Sequence, residues 1–131
     1  MEFASLGKAV TAPSRVLDTF PAPQHIARVT FTSDELTTFC PVTHQPDFNT
    51  IKIEYQPHHK CIESKSLKLY LWSYRDENAF CEALAAQIAQ DIFAATAPHW
   101  CRVTITQNVR GGIVLEAVAA LPDSSPSDTE H

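Results

Sequence analysis

The sequence predicts an α+β fold, an antiparallel sheet with helices laid on one of its faces. Three features of the 131 residues carry that expectation. Four short segments alternate apolar and polar residues with period two, the pattern of strands buried on one side. One long segment repeats its apolar residues every fourth position, as an amphipathic helix does. Their order is strand, strand, helices, strand, strand, which is that of an α+β chain.

The elements follow in chain order. The first 24 residues are expected to form an N-terminal tail, because Pro13, Pro21 and Pro23 neither continue a helix nor donate to a central ladder. A weak strand covers His25–Phe31. In Thr50–Tyr55, Ile51, Ile53 and Tyr55 share one face and Thr50, Lys52 and Glu54 the other. A short helical piece over Ser66–Tyr74 precedes a long helix from Glu77 to about Thr96. There Phe80, Leu84, Ile88 and Ile92 recur on one side, Gln87, Gln90 and Asp91 fall elsewhere, and Pro98 stops the helix.

Two more strands follow. Cys101–Thr106 sets Cys101, Val103 and Ile105 against Arg102, Thr104 and Thr106, and Ile113–Val118 sets Ile113, Leu115 and Ala117 against Val114, Glu116 and Val118. Between them, Gly111 and Gly112 in QNVRGG permit the positive φ of a hairpin turn. Residues 121–131 are polar and acidic and are expected to form a C-terminal tail, leaving one domain over residues 25–120. Four strands are few to close a barrel, so copies joined through their edges are expected to make a homo-oligomer.

Charge narrows the function classes. Lys and Arg number 10 against 15 Asp and Glu, a formal charge of -5, which lacks the footprint of a general nucleic-acid or anionic-membrane binder. No apolar run approaches the roughly 20 residues that span a bilayer. The opening MEFASLGKAVTAPSRV has no continuous apolar core of a secretory signal, so a cytoplasmic protein is expected. Cys40, Cys61, Cys81 and Cys101 stand about twenty residues apart and are expected as reduced thiols. No close pair of the CxxC kind marks a zinc site, and His58 and His59 near Cys61 form a nonspecific pattern, so no metal is expected.

A few residues can carry chemistry. Cys40 lies in TTFCPVTHQPDFNT, a loop stiffened by Pro41 and Pro46, and Asp47 follows seven positions later. A thiol and a carboxyl on one stiff loop offer a nucleophile and a proton donor or acceptor, although a lone Cys also reads as a small buried hydrophobe. The lysines and hydroxyls of Ile62–Tyr70, with Glu63, Ser64, Lys65, Ser66 and Lys68, can bind a phosphate helped by the amides of a helix start. The same run also reads as a capped helix with a solvated basic face. Arg110 before Gly111 invites a similar phosphate reading. Glu82, early in the long helix, either complements the helix dipole or accepts two N–H groups from a guanine-like edge. Cys61, Cys101, Trp72 and Trp100 read as packing residues.

Together these stretches resemble the QueF family, the NADPH-dependent 7-cyano-7-deazaguanine reductases of the short, single-module type. ESKSLKLY at Glu63–Tyr70 resembles the family's diagnostic motif, CPVTHQPDF at Cys40–Phe48 its nucleophile loop, and YRDENAFCE ending at Glu82 its substrate-anchoring segment; RGG at Arg110–Gly112 also fits. The resemblance covers about residues 25–120. It implies a tunnelling fold, a four-stranded antiparallel sheet with helices on one face, whose copies assemble into an oligomeric toroid with active sites between subunits. The implied reaction reduces the nitrile of 7-cyano-7-deazaguanine to the 7-aminomethyl amine, a precursor of queuosine in tRNA, using two NADPH in succession.

Carried over by position, Cys40 attacks the nitrile carbon to form a thioimide and Asp47 donates the proton. Ile62, Glu63, Ser64, Cys81 and Glu82 surround the base, and Ser64, Lys65, Arg110 and Gly111 meet NADPH. Two positions depart from the family pattern. His44 stands where glycine is usual, and Cys81 replaces a histidine, so that position has no imidazole acid. Rival readings are an amidinotransferase that adds ammonia to the same nitrile, a zinc-dependent pterin enzyme of the same fold, and a silent nucleobase-binding oligomer.

Overall fold

In the computed structural model of the protein, the apolar faces expected of two strands meet across one ladder. Ile51 pairs with Ile105, Ile53 with Val103 and Tyr55 with Cys101, and all six are buried. The structure describes residues 14–43, 46–109 and 111–123. Its elements are β1 (Thr19–Pro21), β2 (Val29–Phe39), β3 (Pro46–Gln56), β4 (Lys60–Ile62), α1 (Ser64–Trp72), α2 (Cys81–Thr96), β5 (Trp100–Val109) and β6 (Ile113–Leu121). β2, β3, β5 and β6 form an antiparallel sheet in the order β2-β3-β5-β6, and β1 pairs with β4 apart from it.

The core lies between this sheet and the helices. Leu84, Ala85, Ile88, Ala89 and Ile92 of α2 and Leu67, Tyr70 and Leu71 of α1 close over the buried face. Burying side chains the size of Leu or Ile stabilises the fold by roughly 1.5–3 kcal/mol each. The expected helix layer on an antiparallel sheet is therefore observed. The β5–β6 hairpin also turns where expected, with Gly111 at φ 88° and Gly112 at φ 80°. α2 ends at Ala97, in the left-handed region, whose N–H donates to the Phe93 carbonyl at 2.9 Å before Pro98.

Several bounds differ from the sequence reading. β3 starts at Pro46 rather than Thr50, which puts Asp47 on a strand and not in a loop. α1 is Ser64–Trp72 rather than Ser66–Tyr74, β5 and β6 run on to Val109 and Leu121, and β4 is unexpected. Three further differences have a physical reason. The first strand runs to Phe39 rather than Phe31. A bulge between Ser33 and Leu36 inserts one residue, so odd positions face the helices before it and even positions, Leu36 and Thr38, after it. Period-two alternation cannot survive that switch. The long helix starts at Cys81, not Glu77, because the preceding segment docks on the end of β2. Phe39 N–H donates to the Glu77 carbonyl at 2.9 Å, and Ala79 N–H donates to the Phe39 carbonyl at 3.1 Å. Phe80, expected in the apolar stripe, is the exposed N-cap residue.

The third difference is β1, which lies in the stretch expected as a tail. Thr19, Phe20 and Pro21 pair with Ile62, Cys61 and Lys60. The segment before it runs beside α1. Ser14 N–H donates to the Leu69 carbonyl at 3.3 Å, Asp18 N–H to Ser66 Oγ at 2.9 Å, and Glu63 N–H to the Asp18 carbonyl at 2.9 Å. Arg15 pairs with Glu77, donates to Ser73, and lies 3.8 Å from the centroid of Tyr74.

Candidate active site

The antiparallel pairing of β2 and β3 brings the thiol and the carboxyl together. β2 ends at Phe39, Cys40 opens the turn, and Asp47 returns on β3 opposite Thr38. The Cys40 thiol is half-buried. The backbone N–H of Thr43, then the Thr43 hydroxyl and the Val42 N–H, hold it below the ordinary cysteine value, while burial and the Asp47 carboxylate push it back up. Val42 in the turn and Phe48 next to Asp47 on β3 are both largely exposed. His44 lies outside the described residues.

The docked segment from Glu77 to Ala79 carries the start of α2 to the same end of the sheet. Glu82 stands exposed in its first turn. Cys81 beside it turns inward, is 3% exposed, and donates to the Ile105 carbonyl at 3.7 Å. Burial pushes its thiol up, and the Glu82 and Asp47 carboxylates add to the effect. Cys40, Asp47, Cys81 and Glu82 thus gather at one end, but Cys81 lies in the core, so of the expected base-anchoring pair only Glu82 faces outward.

The ESKS segment sits at the other end. Asp47 and Tyr55 are eight residues apart on β3, roughly 26 Å at about 3.3 Å per residue. Tyr55 Oη accepts from the Ile62 N–H at 2.8 Å, which fixes the start of the motif there. Ile62 is buried. Glu63 is the N-cap of α1, its carboxylate accepting from Lys65 N–H at 2.7 Å and Ser66 N–H at 2.9 Å. Ser66 Oγ donates to the Glu63 carbonyl at 2.8 Å. The expected help of helix-start amides toward a phosphate is corrected here, because the chain's own carboxylate already accepts from those two N–H groups.

What this end offers a ligand is side chains. Ser64 opens on a cleft of about 610 Å³ between α1 and the β2–β3 face, which Lys68, Trp72 and Arg75 also line. Trp72 and Trp100, expected in packing, are only half-buried, beneath Arg75 and Arg102 respectively. Cys61 and Cys101 are buried as expected. Gly111 is not at this end: because Gln107 pairs with Asn49, the exposed β5–β6 turn lies at the Asp47 end, apart from Ser64 and Lys65, and Arg110 lies outside the described residues. Among the described residues no group of three or more His, Cys, Asp or Glu is placed to hold a metal ion.

Residue-by-residue reading missed one feature of the nucleophile end. Asn49 Nδ2 donates to the Leu36 carbonyl at 3.2 Å and reaches Thr38 Oγ1 at 3.5 Å, and Gln107 Nε2 donates to Asn49 Oδ1 at 2.7 Å. All three side chains are buried. The available signal was a polar residue on the face that Ile51, Ile53 and Tyr55 make apolar.

Comparison with known proteins gives the chain its family and relates its fold to a solved one. The family model described as QueF-like protein matches residues 46–125. The NADPH-dependent 7-cyano-7-deazaguanine reductase of Halorhodospira halophila is 50% identical over 105 residues, covering 79% of this chain and 89% of that protein. The protein of the same name from Nitrosococcus oceani is 47% identical over 109 residues, covering 82% and 84%. The apo crystal structure of the archaeosine synthase QueF-Like superposes with a TM-score of 0.71 at 23% identity, over 76% of this chain and 97% of that one, a likeness of fold. With half of its aligned residues shared with such reductases and the family model matched from β3 past the end of β6, this chain belongs to the QueF-like family.

Proposed function

We propose that this protein reduces the nitrile of 7-cyano-7-deazaguanine to the 7-aminomethyl amine with NADPH, through a thioimide on Cys40. The observation that carries the reading is the Cys40 thiol, held low by Thr43 and Val42 and set close enough to Asp47 to feel its charge. A nitrile accepts hydride poorly. Addition of the Cys40 sulfur to its carbon forms a C–S bond as the Asp47 carboxylate takes the thiol proton and gives it to the nitrogen, where negative charge develops. The carbon is then imine-like, and the sulfur leaves as thiolate once that carbon has been reduced. Glu82, facing out beside the pair, accepts the N–H groups of the guanine-like edge and so selects the base.

The cofactor residues fit on their chemistry. Ser64 and Lys68 are exposed on α1 and Lys65 is partly so, placing a hydroxyl and two ammonium groups where phosphates would be held. Gly111 lies in the β5–β6 turn at the Asp47 end of the sheet, so in this reading a second copy would bring it to Ser64 and Lys65. When bound, NADPH supplies hydride, and the four-electron change from nitrile to amine takes two in succession.

In this reading a second copy joins the two halves. The roughly 26 Å of β3 between Asp47 and Tyr55 exceeds the size of a purine-like base, which supports a site completed by a second copy. Among the described residues no strand pairs on the outer side of β6 or, before Phe39, of β2, and Ile113, Val114 and Val118 on β6 are exposed. These features support a homo-oligomer with sites between subunits. The reaction needs a reduced thiol and suits the cytoplasm.

Purified protein given the nitrile and NADPH should form the amine and oxidise two NADPH per amine. Amidine formed from ammonia, with no NADPH oxidised, would assign the chain to the amidinotransferase reading instead.

A further inference from the structure

We propose that Asn49 is a positioning residue that fixes Asp47 against Cys40 by tying β2, β3 and β5 together beneath them. The proposal rests on the reading of Cys40 and Asp47 as the reacting pair. On β3, positions 47, 49, 51, 53 and 55 face the helices, and the last three are apolar and almost fully buried. Asn49 is 3% exposed on that same face. A buried amide costs free energy unless it is hydrogen-bonded, so an apolar residue would serve packing better. The amide is instead fully engaged, donating to Leu36 and Thr38 on β2 and accepting from Gln107 on β5.

These bonds fall where the strand pairing is weakest in register. The bulge between Ser33 and Leu36 interrupts the β2–β3 ladder, and beyond it only Leu36, Thr37, Thr38 and Phe39 pair with Asn49, Phe48, Asp47 and Pro46. A slip of one residue in this short stretch would turn Asp47 away from the helix-facing side. Asn49 bridges to Leu36, the first pair after the bulge, and to Thr38, the residue opposite Asp47 and two before Cys40. Gln107 is its register partner on β5, which ties the stretch to the centre of the sheet.

The test is a double-mutant cycle read in the pH dependence of Cys40 alkylation by iodoacetamide, with Asp47, Cys81 and Glu82 as the neighbouring titratable groups. In the parent, Asp47→Asn removes a nearby negative charge and should lower the pH of half-maximal alkylation. In the Asn49→Ala background the same step should move it less than half as far. Turnover should show kcat down about tenfold with the KM for NADPH unchanged, since misplacement of a reacting group acts on the chemical step. Gln107→Leu, which removes only the donor to Asn49, should give a smaller loss of the same kind and serves if Asn49→Ala does not fold. An equal shift in both backgrounds, or none in the parent, overturns the proposal. Full turnover by Cys40→Ala would sink the thioimide reading while leaving the cycle interpretable.

Discussion

At one end of β3 stands Asp47, beside a half-buried thiol in a turn; at the other stands Tyr55, its hydroxyl closing on the backbone of buried Ile62 at the start of the ESKS motif. The two ends share a strand and differ in how their polar groups are used. At the motif end the Glu63 carboxylate caps α1, Ser66 bridges Asp18 and Glu63, and β1 pairs over β4, so most groups stabilise local structure. At the nucleophile end Cys40 and Glu82 face outward, and the turn donors act on a thiol. A motif recognisable in sequence can thus owe much of its pattern to building its own helix.

The largest expected effect breaks the comparison at the nucleophile end. Cys40→Ala should abolish amine formation, measured by product analysis, while the base still binds. Glu82→Ala should raise the KM for the nitrile by about a hundredfold or more, because two charge-assisted hydrogen bonds are lost, and leave that for NADPH nearly unchanged. Equal effects on both would remove its anchoring role. At the motif end the effect should appear in stability first. Tyr55→Phe leaves the buried Ile62 N–H without its acceptor and should cost about 1–3 kcal/mol in denaturant unfolding, with the KM for NADPH rising more than that for the nitrile.

The smallest effects lie in pH dependence. Cys40, held low, should be alkylated at lower pH than Cys61, Cys81 and Cys101, which burial pushes up, Cys101 to about 11. Peptide mapping after iodoacetamide at neutral pH should find label on Cys40 first. Burial pushes Tyr55 up to about 12 from an ordinary value of 10. Between those values the unfolded chain releases a proton that the folded chain keeps. Stability present below pH 10 should therefore fall as pH rises toward 12, and Tyr55→Phe should flatten that fall.

Periodic elements were legible because their periods survive folding. α2 keeps Leu84, Ile88 and Ile92 buried at fourfold spacing, and the β5–β6 hairpin needs the positive φ that Gly111 and Gly112 supply. The far half of β2 was not legible, because the bulge reverses which positions face inward. β1 was hidden for another reason, being three residues long and ending in a proline. Contacts distant in sequence left no local trace. Arg15 meets Ser73 and Glu77, and Tyr70 donates to Asp91 from the other helix. Cys40, Asp47 and Glu82 could be picked out from their chemistry and motif. That Cys81 turns inward, and that Asn49 sits beneath the pair, depends on which face each element buries.

The most direct measurement is the intact mass of the protein mixed with 7-cyano-7-deazaguanine in the absence of NADPH, followed by peptide mapping. The account predicts a gain of one substrate mass per chain, located on Cys40 and lost on adding NADPH. No gain, or an adduct on Cys61, Cys81 or Cys101, would contradict it.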